Sequence, residues 1–291
     1  MNTVLITGAG GQLGSSLVTE ITKGGQLKVL FPSRDEFLKS KPQMLDYIEK
    51  NRPDTIINCA AFTNVDLAEI EMEECELVNV KLVENLAEVC SSRMIRLIQI
   101  STDYVFDGLS EDLYSTDSAT NPLNYYGRTK EISEAIVLAD KSNSNCVVRT
   151  SWLYSEKTEN FVTKMATCAL NNKIVEVVDD QFGHPTFTQD LSSWLVQLVR
   201  RNDLNGIFHA SNLGVTSWNE LAKYIYSSFA RDENMVRSIA AKSLNRTALR
   251  PRHVAFDFGK NSILGLENLP HWHSGIDNFV ECFGKKGNHV S

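Results

Sequence analysis

The sequence predicts an α/β protein: a doubly wound parallel sheet with a smaller mixed α/β lobe beside it. Three observations carry that prediction. Short apolar runs alternate with segments of helical period through residues 1–150, the element order that wraps helices around a parallel sheet. The first apolar run, over 3–7, passes without a break into a glycine turn and a helix. The run over 95–100 ends at Ser101-Thr102, and open parallel sheets bind ligands just beyond the carboxyl ends of their strands.

Taken in order, residues 3–7 read as a buried strand. Gly8, Gly11 and Gly14 then frame Gln12 and Leu13 in a G-x-x-G-x-x-G turn that opens a helix. Glycines alone mark only a tight turn. With a strand before and a helix after, the turn lets backbone amides approach a pyrophosphate at a helix N-terminus, the signature of a Rossmann-type dinucleotide site. A second strand, over 27–31, leads into Phe31-Pro32-Ser33-Arg34. Ser33 and Arg34 suit a ribose 2′-phosphate, so NADPH is the expected cofactor; NADH is the alternative, with Asp35 on the ribose. A helix over 42–51 and a strand over 54–58 follow. The small residues of Cys59-Ala60-Ala61-Phe62-Thr63 permit close approach of a cofactor, and serve simple turn packing equally well. The next helix carries Val78, Leu82, Val83, Leu86 and Val89 at helical spacing, with Asn79 reading as a polar surface residue.

After the strand over 95–100 comes Tyr125-Tyr126-Gly127-Arg128-Thr129-Lys130, followed by residues of helical composition. Tyr126 and Lys130 are four apart and share one helix face. An ammonium beside a phenol stabilises the phenolate and draws its pKa down from about 10, which would make Tyr126 an acid/base near neutrality. The same spacing also occurs by chance, with a snorkelling lysine. Its position after the strand that ends at Ser101-Thr102 favours the chemical reading.

A further strand over 146–150 extends the sheet. Beyond it the pattern changes: a loop over 151–154, a helix over 160–170, a strand over 174–178, a polar and aromatic turn over 179–186, a helix over 191–200 and a strand over 206–210. A helix over 217–229 is capped by Ser217 with Glu220 three residues on, and a last helix lies near 275–283. Residues 1–150 therefore read as a dinucleotide-binding domain, and 151–291 mainly as a substrate-binding lobe with some segments returning to the first domain.

Hydrophobic content of 42% and charged content of 22% suit a soluble enzyme, and a net charge of −7 from 29 basic and 36 acidic residues argues against nucleic-acid or anionic-membrane partners. Six scattered cysteines, with no C-x-x-C pair and no matching histidines, give no metal site and suit a reducing compartment. With no basic leader and no apolar run near the roughly 20 residues of a membrane helix, a cytoplasmic location is expected.

These motifs resemble the extended short-chain dehydrogenases/reductases and, within them, the dTDP-4-dehydrorhamnose reductase family. The resemblance spans nearly the whole chain. It is carried by the glycine turn, Asn58-Cys59-Ala60-Ala61-Phe62-Thr63 with Val65-Asp66, Ser101-Thr102-Asp103-Tyr104-Val105-Phe106, Tyr126 to Lys130, Arg149-Thr150-Ser151-Trp152, Gln181-Phe182-Gly183-His184-Pro185-Thr186 and Arg250-Pro251. It implies reduction of the C4 ketone of dTDP-4-dehydro-L-rhamnose to dTDP-L-rhamnose, with Thr102, Tyr126 and Lys130 catalytic and Tyr126 the proton donor. By the same resemblance Thr102, Asp103, Tyr104, Trp152, Gln181 and Arg250 would meet the sugar nucleotide. Gly8, Gly11, Gln12, Leu13, Gly14, Ser33, Arg34, Ala60, Ala61, Phe62, Thr63, Ser101, Tyr126 and Lys130 would meet the cofactor. His184 reads as a satisfied turn histidine. The chain departs from the family pattern at Phe37-Leu38-Lys39-Ser40, where relatives often carry an acidic residue near the adenosine. It departs again at Ser15-Ser16, where some relatives hold a dimer-bridging metal through a glutamate. The expected partner is a small nucleotide sugar, and the expected assembly a monomer or homodimer. The alternatives are a reductase or epimerase of another nucleotide 4-keto-6-deoxy sugar, or a non-catalytic subunit resembling the methionine adenosyltransferase beta subunit.

Overall fold

The computed structural model describes residues 2–33, 37, 40–140 and 144–287. The first half runs β1 (Thr3–Thr7), α1 (Gln12–Gly24), β2 (Lys28–Leu30), α2 (Lys41–Asn51), β3 (Thr55–Asn58), α3 (Leu82–Arg93), β4 (Arg96–Thr102), α4 (Tyr125–Ala139) and β5 (Cys146–Thr150). A short helix (Met72–Glu76) and a π-helical turn (Leu77–Lys81) lead into α3. The second half runs β6 (Leu153–Tyr154), α5 (Phe161–Leu170), β7 (Val175–Val178), β8 (Phe182–Gly183), β9 (Thr186–Phe187), α6 (Thr188–Val199), β10 (Gly206–His209), β11 (Thr216–Ser217), α7 (Trp218–Ser228), β12 (Val236–Ile239), α8 (Gly259–Ile263) and α9 (Trp272–Gly287).

The main sheet has the order β10-β5-β4-β3-β1-β2, with every pairing parallel. From β1 the chain steps to β2 on one side and returns to β3 on the other, so the connections that follow β1 and β3 diverge and leave a crevice at the sheet's carboxyl edge. Both faces of the sheet are covered, which is why its strands are apolar throughout rather than alternating. Val4 and Ile6 join Leu17, Trp194, Leu198 and Phe208 on one face. Leu5 joins Ile56, Val83, Leu86 and Val147 on the other.

Two elements from the second half complete this layer. β10 adds a strand beside β5, and α6 lies against α1, where the hydroxyls of Ser16 and Thr188 meet at 2.8 Å. The rest gathers around Tyr154, Val162, Phe187, Leu221, Ile276 and Phe279, with α7 opened by the expected Ser217/Glu220 capping box. The turn over 179–186 contains β8 and the start of β9, and β7 finds a parallel partner in β12. The two-residue strands β6, β8, β9 and β11 show too little period to be read from sequence. Among the described residues no helix is long and apolar enough to cross a membrane.

Two histidines bury in the aromatic packing at the sheet's edge. His184 stands between the Asn212 carbonyl, 3.2 Å from Nδ1, and the Phe256 N–H, which donates to Nε2 at 3.0 Å, so it is held neutral. His209 stacks on Phe256 at 4.2 Å. Burial brings His184 down to about 4 and His209 to about 3. The unfolded chain takes up these protons near pH 6.5 and the folded chain does not, so stability falls as pH drops from 6.5 toward 4. Thermal unfolding is expected to show a loss of up to about 1.4 kcal/mol per histidine per pH unit in that window. His209→Phe is expected to make the slope shallower.

Candidate active site

At the crevice the glycine turn and the β3 end meet. Gly8 adopts φ 64°, and a Cβ there would sit 2.7 Å from Ala60 N. A Cβ on Gly14 would sit 2.3 Å from the Gly8 carbonyl oxygen, so α1 packs directly on the turn. Gly11 caps α1 with no side-chain hydrogen bond and no acid in the first turn, so the helix's leading amides and its positive end have no side-chain competitor. Two adjoining compartments open here. One, of about 970 Å³, is lined by Gly8, Gly11, Phe31, Ser33 and Phe62. The other, of about 490 Å³, is lined by Gln12, Leu13, Gly14, Thr63, Ser101, Thr102, Asp103, Tyr126, Lys130 and Trp152. Gly11, Cys59, Ala60 and Ala61 border both. A two-part groove with backbone donors at its waist fits a dinucleotide. Arg34, on which the 2′-phosphate reading leaned, lies outside the described residues.

The polar residues of the smaller compartment are drawn together by the packing of α4. Asn124 caps the helix, accepting from the Gly127 N–H at 2.8 Å. A Cβ on Gly127 would lie 2.3 Å from the Tyr104 carbonyl oxygen, so only glycine lets the helix start press onto the turn after β4. The half-buried Tyr126 is thereby set beside Thr102, with its ring edge-on to Tyr104 at 5.9 Å. Thr102 Oγ1 donates to Asp103 Oδ1 at 3.0 Å, and Lys130 Nζ donates to the Ile100 carbonyl at 2.6 Å.

The electrostatics correct the sequence expectation for Tyr126. Its phenol is held above the ordinary value, because burial outweighs the hydrogen bond with Thr102. The amine is turned to the Ile100 carbonyl, and burial brings it down to about 8 against the opposing pull of Glu134. Burial also pushes Asp103 up to about 7. The phenol is therefore un-ionised at neutral pH, a form that can donate a proton.

The remaining predicted residues divide. Trp152 borders the cleft with φ 45°, a conformation rare for a bulky residue, and stacks face to face on Trp218 at 3.6 Å. Gly183 leaves room for that indole, since a Cβ there would meet its ring at 2.8 Å. Beyond the stack lies a recess of about 280 Å³ lined by Tyr104, Trp218, Arg246 and Arg250. Arg250 is held there by Asp66 at 2.6 Å, and this hydrogen bond is the first reason that the Asp66 carboxyl falls to about 2. Gln181 reaches the recess only through Arg246, whose Nη1 donates to its Oε1 at 3.3 Å. Ser101 borders the cleft, but its hydroxyl is committed to Glu134 at 2.5 Å.

Asn79 is the residue that sequence reading missed. It is buried, not a surface group: Oδ1 accepts from the Phe62 N–H at 2.8 Å, and Nδ2 donates to the Phe62 carbonyl at 3.2 Å and to Thr129 at 3.0 Å. A polar residue in the apolar stripe of a helix, among Val78, Leu82 and Val83, was the available signal. Asn79→Ala is expected to strand the Phe62 backbone groups and cost about 1–3 kcal/mol, read as a lowered Tm with weakened cofactor binding.

Comparison with known proteins follows the same lines. The model of the RmlD substrate binding domain matches residues 1–284. A dTDP-4-dehydrorhamnose reductase of Streptomyces griseus is 35% identical, over 98% of this chain and 96% of its own. A dTDP-4-keto-6-deoxy-D-glucose reductase of Streptomyces niveus is 36% identical over 94% of each chain. Among solved structures, the dTDP-4-dehydrorhamnose reductase of Bacillus anthracis str. Ames in complex with NADP aligns with a TM-score of 0.91 at 33% identity, covering 96% of this chain and 99% of that one.

Proposed function

We propose, from the premise that this chain belongs to the RmlD substrate binding domain family of dTDP-4-dehydrorhamnose reductases, that it reduces the C4 ketone of dTDP-4-dehydro-L-rhamnose to dTDP-L-rhamnose, with Tyr126 as proton donor. It is an NAD(P)-dependent oxidoreductase of nucleotide sugars, with NADPH the first-choice cofactor and NADH the second. The observation that carries the reading is an un-ionised phenol and a buried amine on one wall of the cleft that the glycine turn borders.

A reduced nicotinamide supplies the hydride when bound. The glycine turn and the Ala60-Ala61-Phe62-Thr63 segment would hold the dinucleotide. Thr102 shares the Tyr126 phenol and would steady the reacting oxygen as charge grows on it. Tyr126 would give its proton to that oxygen, a downhill transfer because an alkoxide is far more basic than a phenolate. Lys130 would balance the charge left on the phenol. Trp152, Asp103 and Tyr104 would flank the sugar, and Arg250, with Gln181 behind Arg246, would serve the nucleotide end.

The test is incubation of the purified chain with a panel of nucleotide 4-keto-6-deoxy sugars, following absorbance with NADPH and NADH in parallel and assigning the product's C4 configuration by NMR. Stoichiometric consumption with the dTDP-linked L-sugar is expected. A cofactor left unchanged over the cycle would replace this reading with epimerisation. Preference for a D-sugar would move it toward the Streptomyces niveus relative's substrate.

A further inference from the structure

Behind the cleft lies a fully buried ion pair that the proposed reaction does not use directly. Glu134 and Arg149 are 4% and 2% exposed. Arg149 Nη2 donates to Glu134 Oε2 at 2.7 Å and its Nε donates to Oε1 at 3.0 Å, a two-pronged clamp. The Ser101 hydroxyl closes on the same carboxylate from the end of β4 at 2.5 Å. Arg149 also lies 4.9 Å over the Phe106 ring. The carboxylate is thus fixed from three elements, α4, β4 and β5. It stands one helical turn beyond Lys130 and beside the strand end that carries Thr102. A buried ion pair often adds little net stability, and this one touches the cleft wall through Ser101.

Resting on the reductase reading above, we infer that Glu134, locked by Ser101 and Arg149, is a positioning residue: it stands one helical turn beyond Lys130, and its grip on Ser101 holds in register the β4 end that carries Thr102 and the Ile100 carbonyl to which Lys130 Nζ donates.

The groups facing Lys130 support this assignment. On α4 these are Glu134 and, one turn before, Tyr126, whose phenol burial keeps neutral. From the loop after β3 comes the Cys59 thiol, pushed up to about 12, and from the helix before the π turn the Cys75 thiol, also raised by burial. Both thiols stay neutral at working pH. Asp103, on the turn after β4, acts on Tyr126. Glu134 is the carboxylate that offsets the amine's desolvation.

The experiment uses Glu134→Gln and the double variant Glu134→Gln/Arg149→Gln. The second removes both charges, so that no unpaired guanidinium is left buried if the single variant fails to fold. Two readouts are followed: the alkaline limb of the kcat profile, and the Lys130 titration by NMR of protein labelled with 13Cε-lysine, assigned with Lys130→Met. Loss of the counter-charge makes the ammonium easier to deprotonate, so both are expected to move to lower pH, by about one unit in the single variant and by less in the double, where the opposing Arg149 charge leaves as well. A Lys130 titration that stays in place in the double variant, whatever happens to Tm, would overturn the inference and leave the pair a packing element. If the wild-type chain reduces no 4-keto sugar, the reductase reading falls, while the NMR titration still decides the role of Glu134.

Discussion

Tyr126→Phe is expected to lower kcat by roughly 10²–10⁴, the range for loss of a positioned proton donor, with NADPH affinity and Tm close to wild type. The substitution deletes one oxygen. The ring stays, with its edge-on contact to Tyr104 at 5.9 Å, and the elements that would hold the cofactor, the glycine turn and the residues after β3, are untouched. Because the phenol is already un-ionised, its removal takes away a donor and no charge, so there is no unpaired ion to destabilise the fold. Steady-state rates with the keto sugar and fluorescence titration with NADPH separate the two effects. A rate within a few-fold of wild type would end the proton-donor assignment, and lost cofactor affinity would recast Tyr126 as a binding residue.

The second large effect is expected from Gly14→Ala. The new methyl would sit 2.3 Å from the Gly8 carbonyl oxygen and 2.8 Å from Ala9 Cα, both backbone, so no side chain can swing aside and the turn must open. Overpacking of this kind costs about 1–3 kcal/mol. Since the turn that yields is the one that would present its amides to the pyrophosphate, cofactor affinity is expected to fall by about tenfold or more, roughly 1.4 kcal/mol or greater. Gly10→Ala is the control, because a Cβ there meets nothing within 4 Å; its unfolding free energy should stay within about 0.5 kcal/mol of wild type. Equal losses in the two variants would mean that the turn is generally intolerant, rather than closed specifically between Gly8 and Gly14.

Much of the cofactor end was legible because its parts are contiguous in the chain: β1, the glycines and α1 follow one another, and the left-handed φ of 64° at Gly8 is a local matter that glycine meets freely. The Tyr126/Lys130 spacing and the Ser217/Glu220 cap were readable for the same reason. What escaped depends on partners distant in sequence. Asn79 looked like a surface residue because Phe62, whose backbone it clamps, is 17 positions away. That the Ser101 hydroxyl bonds Glu134 was invisible too, because Glu134 is 33 positions on. Trp218, stacked on Trp152, belongs to a helix that nothing in the local pattern tied to the cleft.

The amino-acid order alone determined the alternation of strand and helix through residues 1–150, the parallel sheet and the identity of the groups that could carry proton transfer, since period, turn chemistry and spacing act over one or two helical turns. Only the tertiary structure decided their charge states. A cation four residues away suggested a lowered phenol pKa, yet the folded chain raises it and brings Lys130 down to about 8. Desolvation is set by all the mass packed around a group, and the fold, rather than the neighbouring residues, brings that mass together.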